Sequence, residues 1–190
     1  MPSLSPTAGV LTNLSPDHLD RYPTLADYYA DKAQLFRNAT DASVWITNGD
    51  DPAVQRMAAP VAGVHRRFST TRVADGWYDR RGQALMLGPD SLLPRGELML
   101  LGDHNVANAL AAAMAARVAG VDSGALADGL RSFRALPHRL EPVREVGGVL
   151  WINDSKATNI ASTEVALSAL DRPYVLLLGG RHKGEAYTRL

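Results

Sequence analysis

The sequence predicts an α/β protein, in which strands hand over to helices through polar loops. The first sign is the run Val149, Leu150, Trp151, Ile152, whose β-branched and aromatic side chains suit a half-buried strand. It turns polar at once, in Asn153-Asp154-Ser155-Lys156-Ala157-Thr158-Asn159. A helical pattern follows, with Ser162 or Thr163 as N-cap and Val165, Ala166, Leu167 and Leu170 behind it. The second sign is Tyr174-Val175-Leu176-Leu177-Leu178, which lacks alternation, as a strand buried on both faces does. It ends in Gly179-Gly180-Arg181-His182-Lys183-Gly184. Strand, helix and strand at this spacing predict a right-handed crossover between parallel strands. Both following loops then open on one edge, the edge where open α/β sheets place their ligands. Lys156 and Lys183 would share that rim, with glycine-freed N–H groups between them, an arrangement that favours phosphate or carboxylate. The same letters also suit a helix-capping loop and a tight turn with two surface cations.

From the start of the chain, residues 9–14 read as a short strand that opens into Ser15-Pro16-Asp17-His18-Leu19-Asp20-Arg21-Tyr22-Pro23, a loop crowded with ligand-type side chains. A helix follows from Thr24, with Asp27 completing a capping-box-like pair. Leu25, Tyr28, Tyr29, Leu35 and Phe36 mark one helical face. Lys32 takes the missing place on that stripe. A lysine there either marks function or lays its stem along the core. Residues 42–47 are the next strand, and Asn48-Gly49-Asp50-Asp51-Pro52 turns into a short helix. Between residues 61 and 101 the pattern is of short strands broken by Gly, Asp and Pro, with Phe68, Trp77, Leu85, Met86, Leu87, Leu98, Met99 and Leu100 inward. Gly102-Asp103-His104-Asn105 caps an Ala-rich helix over residues 106–118, and Gly120 ends it. Asn105 and Asn108 lie in its first turn, where an amide can meet a base edge or satisfy free backbone groups. A further helix covers about residues 123–133, with Leu126, Leu130 and Phe133 on one side. Ala135-Leu136-Pro137-His138-Arg139 breaks the helical pattern, so a boundary is placed there between domains 1–135 and 136–190. Residues 139–153 read as a hairpin turning at Gly147-Gly148.

Composition sets the outer bounds. The chain has 190 residues, enough for one or two domains. Its 20 basic and 20 acidic residues give no net charge, which argues against nucleic acid as a partner. There is no cysteine, hence no disulfide partner and no thiolate metal site. Met1-Pro2-Ser3-Leu4-Ser5-Pro6 has neither the basic nor the apolar part of a signal peptide, and no apolar run approaches the ~20 residues of a membrane span. A cytoplasmic protein is expected.

With these blocks in place the chain resembles the Mur ligases, and within them the D-glutamate-adding branch. The blocks are Asp17-His18-Leu19-Asp20-Arg21-Tyr22, His104-Asn105-Val106-Ala107-Asn108-Ala109-Leu110, Leu136-Pro137-His138-Arg139-Leu140-Glu141, Asn153 to Asn159, and Gly179 to Gly184. The second is shared across the wider family and with folylpolyglutamate synthases. The fourth resembles the D-glutamate-adding member in particular. The resemblance implies an α/β fold made of a central ATPase-type domain, with a mixed sheet and a small β subregion, and the first part of a Rossmann-like domain. It also implies ATP-dependent ligation in peptidoglycan synthesis, with UDP-N-acetylmuramoyl-L-alanine and D-glutamate as substrates and ATP and Mg²⁺ as cofactors. By position, His18 would ligate a magnesium ion or contact the reacting group, and a carbamylated Lys32 would serve the metal. Asn108 would contact adenine, Arg139 the nucleotide, and Asp154 the ribose. Lys156 and Thr158 would lie on the acceptor side, and Lys183 would hold a carboxylate of D-glutamate.

The resemblance further implies a fragment. No Gly-x-x-x-x-Gly-Lys-Ser/Thr loop occurs in the chain, and in the family it precedes the first residue here. The expectation is therefore a chain that does not form product alone. The rival readings are a related ligase of other specificity, and a nucleotide-binding fragment without turnover.

Overall fold

The computed structural model describes residues 5–15, 21–180 and 187–190. A six-stranded sheet runs in the order β1 (Ala8–Leu11), β2 (Val44–Asn48), β3 (Val64–Ser69), β4 (Gly76–Asp79), β5 (Ala84–Leu87) and β6 (Asp90–Pro94). The first four are mutually parallel and the last two turn antiparallel. Helices α1 (Leu25–Ala33) and α2 (Pro52–Ala58) link the parallel strands. Helices α3 (Asp103–Val118) and α4 (Ser123–Ser132) follow the sheet. The expected mixed sheet with helices and a small β subregion is what the chain forms.

Alternation in β2 explains the layering. Successive side chains on a strand face opposite sides, and neither Trp45 nor Ile46 has any exposure. Ile46 joins Phe68, Leu85, Leu93, Val106 and Leu110 under α3. Trp45 packs instead with Phe36 and Ala58, its ring edge-on to Phe36 with centroids 4.8 Å apart. The missing side chain of Gly76 in β4 lets α3 lie close, since a Cβ there would stand 2.6 Å from the Met114 sulfur.

Local signals place the helices. Thr24 and Asp27 form a reciprocal capping box on α1. Asp51 caps α2, with Pro52 in its first turn. Gly120 follows α3 with φ +91°, a backbone that favours glycine.

Several expectations need correction. Met99 is 53% exposed, and Trp77 is half-buried with its indole N–H on the Gly88 carbonyl, so Tyr78 is the inward aromatic of β4. On α1 only Tyr28 is buried. Leu25 and Lys32 are exposed, and the Lys32 ammonium stands 5.1 Å from the Tyr28 ring centroid. The helix thus buries a narrower stripe than the spacing suggested, and Lys32 is no misfit. Phe133 is also exposed.

Beyond α4 the chain forms the expected hairpin, β7 (Glu141–Val146) against β8 (Val149–Asn153), turning through Gly147 and Gly148 with φ 57° and 78°. Helix α5 (Ile160–Ser168) starts earlier than the sequence suggested, because Asn159 takes the cap: its side chain accepts from the Ser162 N–H. Residues 174–178 are not a strand, and Val175 and Leu177 are 89% and 80% exposed. Apolar content alone does not make a strand. Its backbone groups need a neighbour, and among the described residues the hairpin is a closed pair of two. The parallel crossover from β8 is therefore not formed.

Close approach yields a test of the core. A Cβ on Gly9 would lie 2.4 Å from Cζ3 of the rigid Trp45 ring, whereas one on Gly96 meets nothing within 4 Å. Gly9→Ala should cost about 1–3 kcal/mol of stability and Gly96→Ala within about 0.5 kcal/mol, as read by urea denaturation.

Candidate functional site

The carboxyl ends of β1 and β2 open on one edge because the strands are parallel. There the segment Thr12 to Ser15 leaves β1, and Asn48 to Asp51 leaves β2. Side chains of the second hold the backbone of the first. Asn48 Nδ2 donates to the Thr12 carbonyl at 2.9 Å, and the Leu14 N–H donates to Asp51 Oδ2 at 2.9 Å. Asp51 Oδ1 meanwhile accepts the Ala53 and Val54 N–H groups that begin α2. One carboxylate thus ties a loop to a helix end. Gln55 braces Asn48 from α2, its Nε2 lying 2.8 Å from the Asn48 carbonyl oxygen.

The first turns of α3 form the next wall. Asn105 Nδ2 bonds the Leu101 carbonyl at 2.8 Å, so this amide stabilises the turn before the helix. Asn108 is exposed, one turn along. His104 is half-buried. Burial pushes its imidazole below the ordinary range, against the opposing pull of the Asp154 and Asp103 carboxylates. Gly102, with φ +80°, lets α5 rest on this corner, since a Cβ there would stand 2.5 Å from the Ala169 methyl.

The far wall is the segment around the hairpin. Asp154 Oδ1 accepts the Leu140 N–H at 3.0 Å, and the Lys156 N–H donates to the His138 carbonyl at 3.0 Å. The Arg139 turn and the Asp154–Lys156 loop are therefore fastened to each other.

These walls enclose an open cleft of about 1150 Å³, lined by Thr12, Asn48, Asp51, His104, Asn108, Arg139, Asp154 and Lys156 among others. Apolar lining from Leu98, Leu100, Leu130 and Phe133 explains why Phe133 is not in the core. An amide, a guanidinium, a carboxylate and an ammonium around an apolar floor can seat a flat polar ring and neutralise an anion.

Of the residues singled out in the sequence, Asn108, Arg139, Asp154 and Lys156 line this one cleft. Thr158 is exposed next to it and does not line it. Lys32 is exposed on α1 and does not line the cleft. His18 and Lys183 lie outside the described residues. Sequence reading missed Asn48, Asp51 and His104 as site residues. The signal was there for the first two: a polar turn at the carboxyl end of a strand is where such sheets bind.

The profile of the Mur ligase middle domain matches residues 1–116. The chain is 42% identical over 194 aligned residues to the UDP-N-acetylmuramoylalanine–D-glutamate ligase of Salinibacter ruber and 41% identical over 191 to that of Acidobacterium capsulatum, with 97% of the chain covered in each. It spans 42% and 41% of the length of these two relatives. Among solved structures, a pseudomurein peptide ligase type C from Methanothermus fervidus superposes with a TM-score of 0.68 at 21% identity, covering 87% of this chain and 41% of that one. A UDP-N-acetylmuramoyl-L-alanyl-D-glutamate–2,6-diaminopimelate ligase gives 0.64 at 28% identity, covering 87% and 35%.

Two tests follow from the geometry. Asp51→Ala removes both the cap and the Leu14 tether and should cost about 1–2 kcal/mol. Asp51→Asn, with one acceptor oxygen in place of two, should fall between it and the native chain in urea denaturation. For His104, the fold favours the neutral ring, so its contribution is complete above the ordinary histidine pKa of about 6.5. Below that the unfolded chain takes up the proton first, and stability falls as pH drops. His104→Gln should flatten this decline, and an NMR titration should find the His104 midpoint below that of an unfolded histidine.

Proposed function

The chain belongs to the Mur ligase family, and we propose that its cleft is the nucleotide and acceptor face of a D-glutamate-adding ligase in cytoplasmic peptidoglycan synthesis. The observation that carries this reading is the meeting of Asn108, Arg139, Asp154 and Lys156 on one cleft. In that reaction a phosphoryl group from ATP activates the carboxylate of UDP-N-acetylmuramoyl-L-alanine, and the amine of D-glutamate displaces phosphate to form the amide.

The chain's own residues divide the work. Asn108 offers an amide to the adenine edge, as its exposed position in the second turn of α3 allows. Arg139 holds the nucleotide from the far wall, across the seam we place near residue 135. Asp154 keeps one oxygen on the Leu140 N–H and turns the other to a ribose hydroxyl. Lys156 neutralises charge where phosphate and acceptor meet, with Thr158 on the same side. Lys183 holds a carboxylate of D-glutamate. His18 and Lys32 as its carbamate would hold magnesium. Among the described residues no three His, Asp or Glu side chains are grouped to hold a metal, so no step is derived through the ion. Lys32 is exposed, and its carbamylation rests on the resemblance.

A second reading, nucleotide binding without turnover, is favoured for this chain by itself because it contains no Gly-x-x-x-x-Gly-Lys-Ser/Thr loop. Calorimetry should show ATP binding that weakens about 10-fold in Arg139→Ala and in Lys156→Ala, the loss of one charge-assisted contact each. Equal affinity in all three chains refutes the site. D-Glutamate-dependent phosphate release by the chain alone refutes its inactivity.

A further inference from the structure

Three non-glycine residues among those described have positive φ, and two of them, His138 (67°) and Leu140 (44°), flank Arg139. Left-handed backbone is unfavourable for L residues and persists only where surrounding bonds over-determine it. Here they do. The His138 N–H donates to Glu141 Oε2 at 2.7 Å and its carbonyl accepts from the Lys156 N–H at 3.0 Å. Its ring Nδ1 meets Asn153 Nδ2 at 2.8 Å. The Leu140 N–H is taken by Asp154 Oδ1, and the Leu140 side chain is buried at 7% exposure. The outcome is a fixed turn whose central residue, Arg139, is exposed and lines the cleft.

Of these holds, the Glu141 carboxylate caps no helix: it takes the His138 N–H and stands 4.0 Å from the His138 ring Nδ1. β7 pairs through its backbone, with Glu141 opposite Asn153. An acid beside a cation that should receive anions lowers the local positive potential, so its presence calls for a reason. The geometry points to Glu141 as a positioning residue: its carboxylate locks the left-handed turn that presents the Arg139 guanidinium to the phosphates of a bound nucleotide. This assignment rests on the reading of the cleft as a nucleotide site.

The test separates acceptor from charge and lock from packing. Glu141→Ala removes the acceptor. Glu141→Gln removes the charge but keeps an acceptor oxygen. With ATP as the probe, calorimetry should show affinity about 10-fold weaker in Glu141→Ala and within about 2-fold of native in Glu141→Gln. In an Arg139→Ala background, Glu141→Ala should cause no further loss. Amide exchange at Leu140 should quicken in Glu141→Ala and return to native in Glu141→Gln. Additive losses in the double variant, a Gln variant that behaves like Ala, or unchanged Leu140 exchange each overturn the assignment. A native chain blind to ATP sinks the cleft reading and this assignment with it. A native chain that binds ATP no better than Glu141→Ala does sinks the assignment alone.

Discussion

A strand buried on both faces can carry its polar chemistry only at its ends, and β2 is such a strand. Trp45 and Ile46 leave no exposed surface on either side of the sheet, so the chain has no room for a ligand along the strand. The parallel pairing of β1 with β2 then brings both carboxyl ends to one edge. The polar residues gather there because burial excludes them elsewhere and because exit loops leave N–H and carbonyl groups that must be paired. Asn48 and Asp51 do that pairing for the segment leaving β1. The cleft is thus a by-product of how the sheet is covered.

The far wall obeys the same requirement in a different way. Residues 136–159 form no sheet with the main body. They share the cleft with it, and Ala169, just past α5, comes close to Gly102 of the main body. Within this wall, bonds between loops replace a ladder: Lys156 N–H to the His138 carbonyl, and Leu140 N–H to Asp154. Such bonds fix a few side chains firmly and leave the apolar run at residues 174–178 unsupported. A group of apolar residues in solvent is a candidate interaction surface.

Most of the fold was legible in the letters. The capping box at Thr24 and Asp27, the Asp51-Pro52 start of α2, the glycine after α3 and the Gly-Gly hairpin are local signals, decided within four residues, and each element stands where they put it. The misreadings share a cause in tertiary context. The strand expected at 174–178 needed a partner far away in sequence. The stripe on α1 depended on what covered Leu25 and Lys32, and both stay exposed among the described residues. Leu126, Leu130 and Phe133 do share one side, and that side lines the cleft. Asn159, rather than Ser162 or Thr163, caps α5, its side chain accepting the Ser162 N–H.

The site was legible to the extent that its residues carry recognisable chemistry. Asn108, Arg139, Asp154 and Lys156 advertise themselves by charge or amide. The residues that aim them do not. Glu141 looks like a solvated strand residue, and Asp51 like an ordinary cap. The second role of Glu141 depends on a left-handed turn, and that of Asp51 on a loop brought from elsewhere in the chain, and no side-chain pattern announces either. A left-handed residue that is not glycine is invisible in sequence, because any L residue can be forced there if enough bonds insist. A cleft of this kind therefore has two sets of determinants. One set is chemical and can be read directly. The other is conformational, and it is visible only where strain and its restraints occur together, as they do around Arg139.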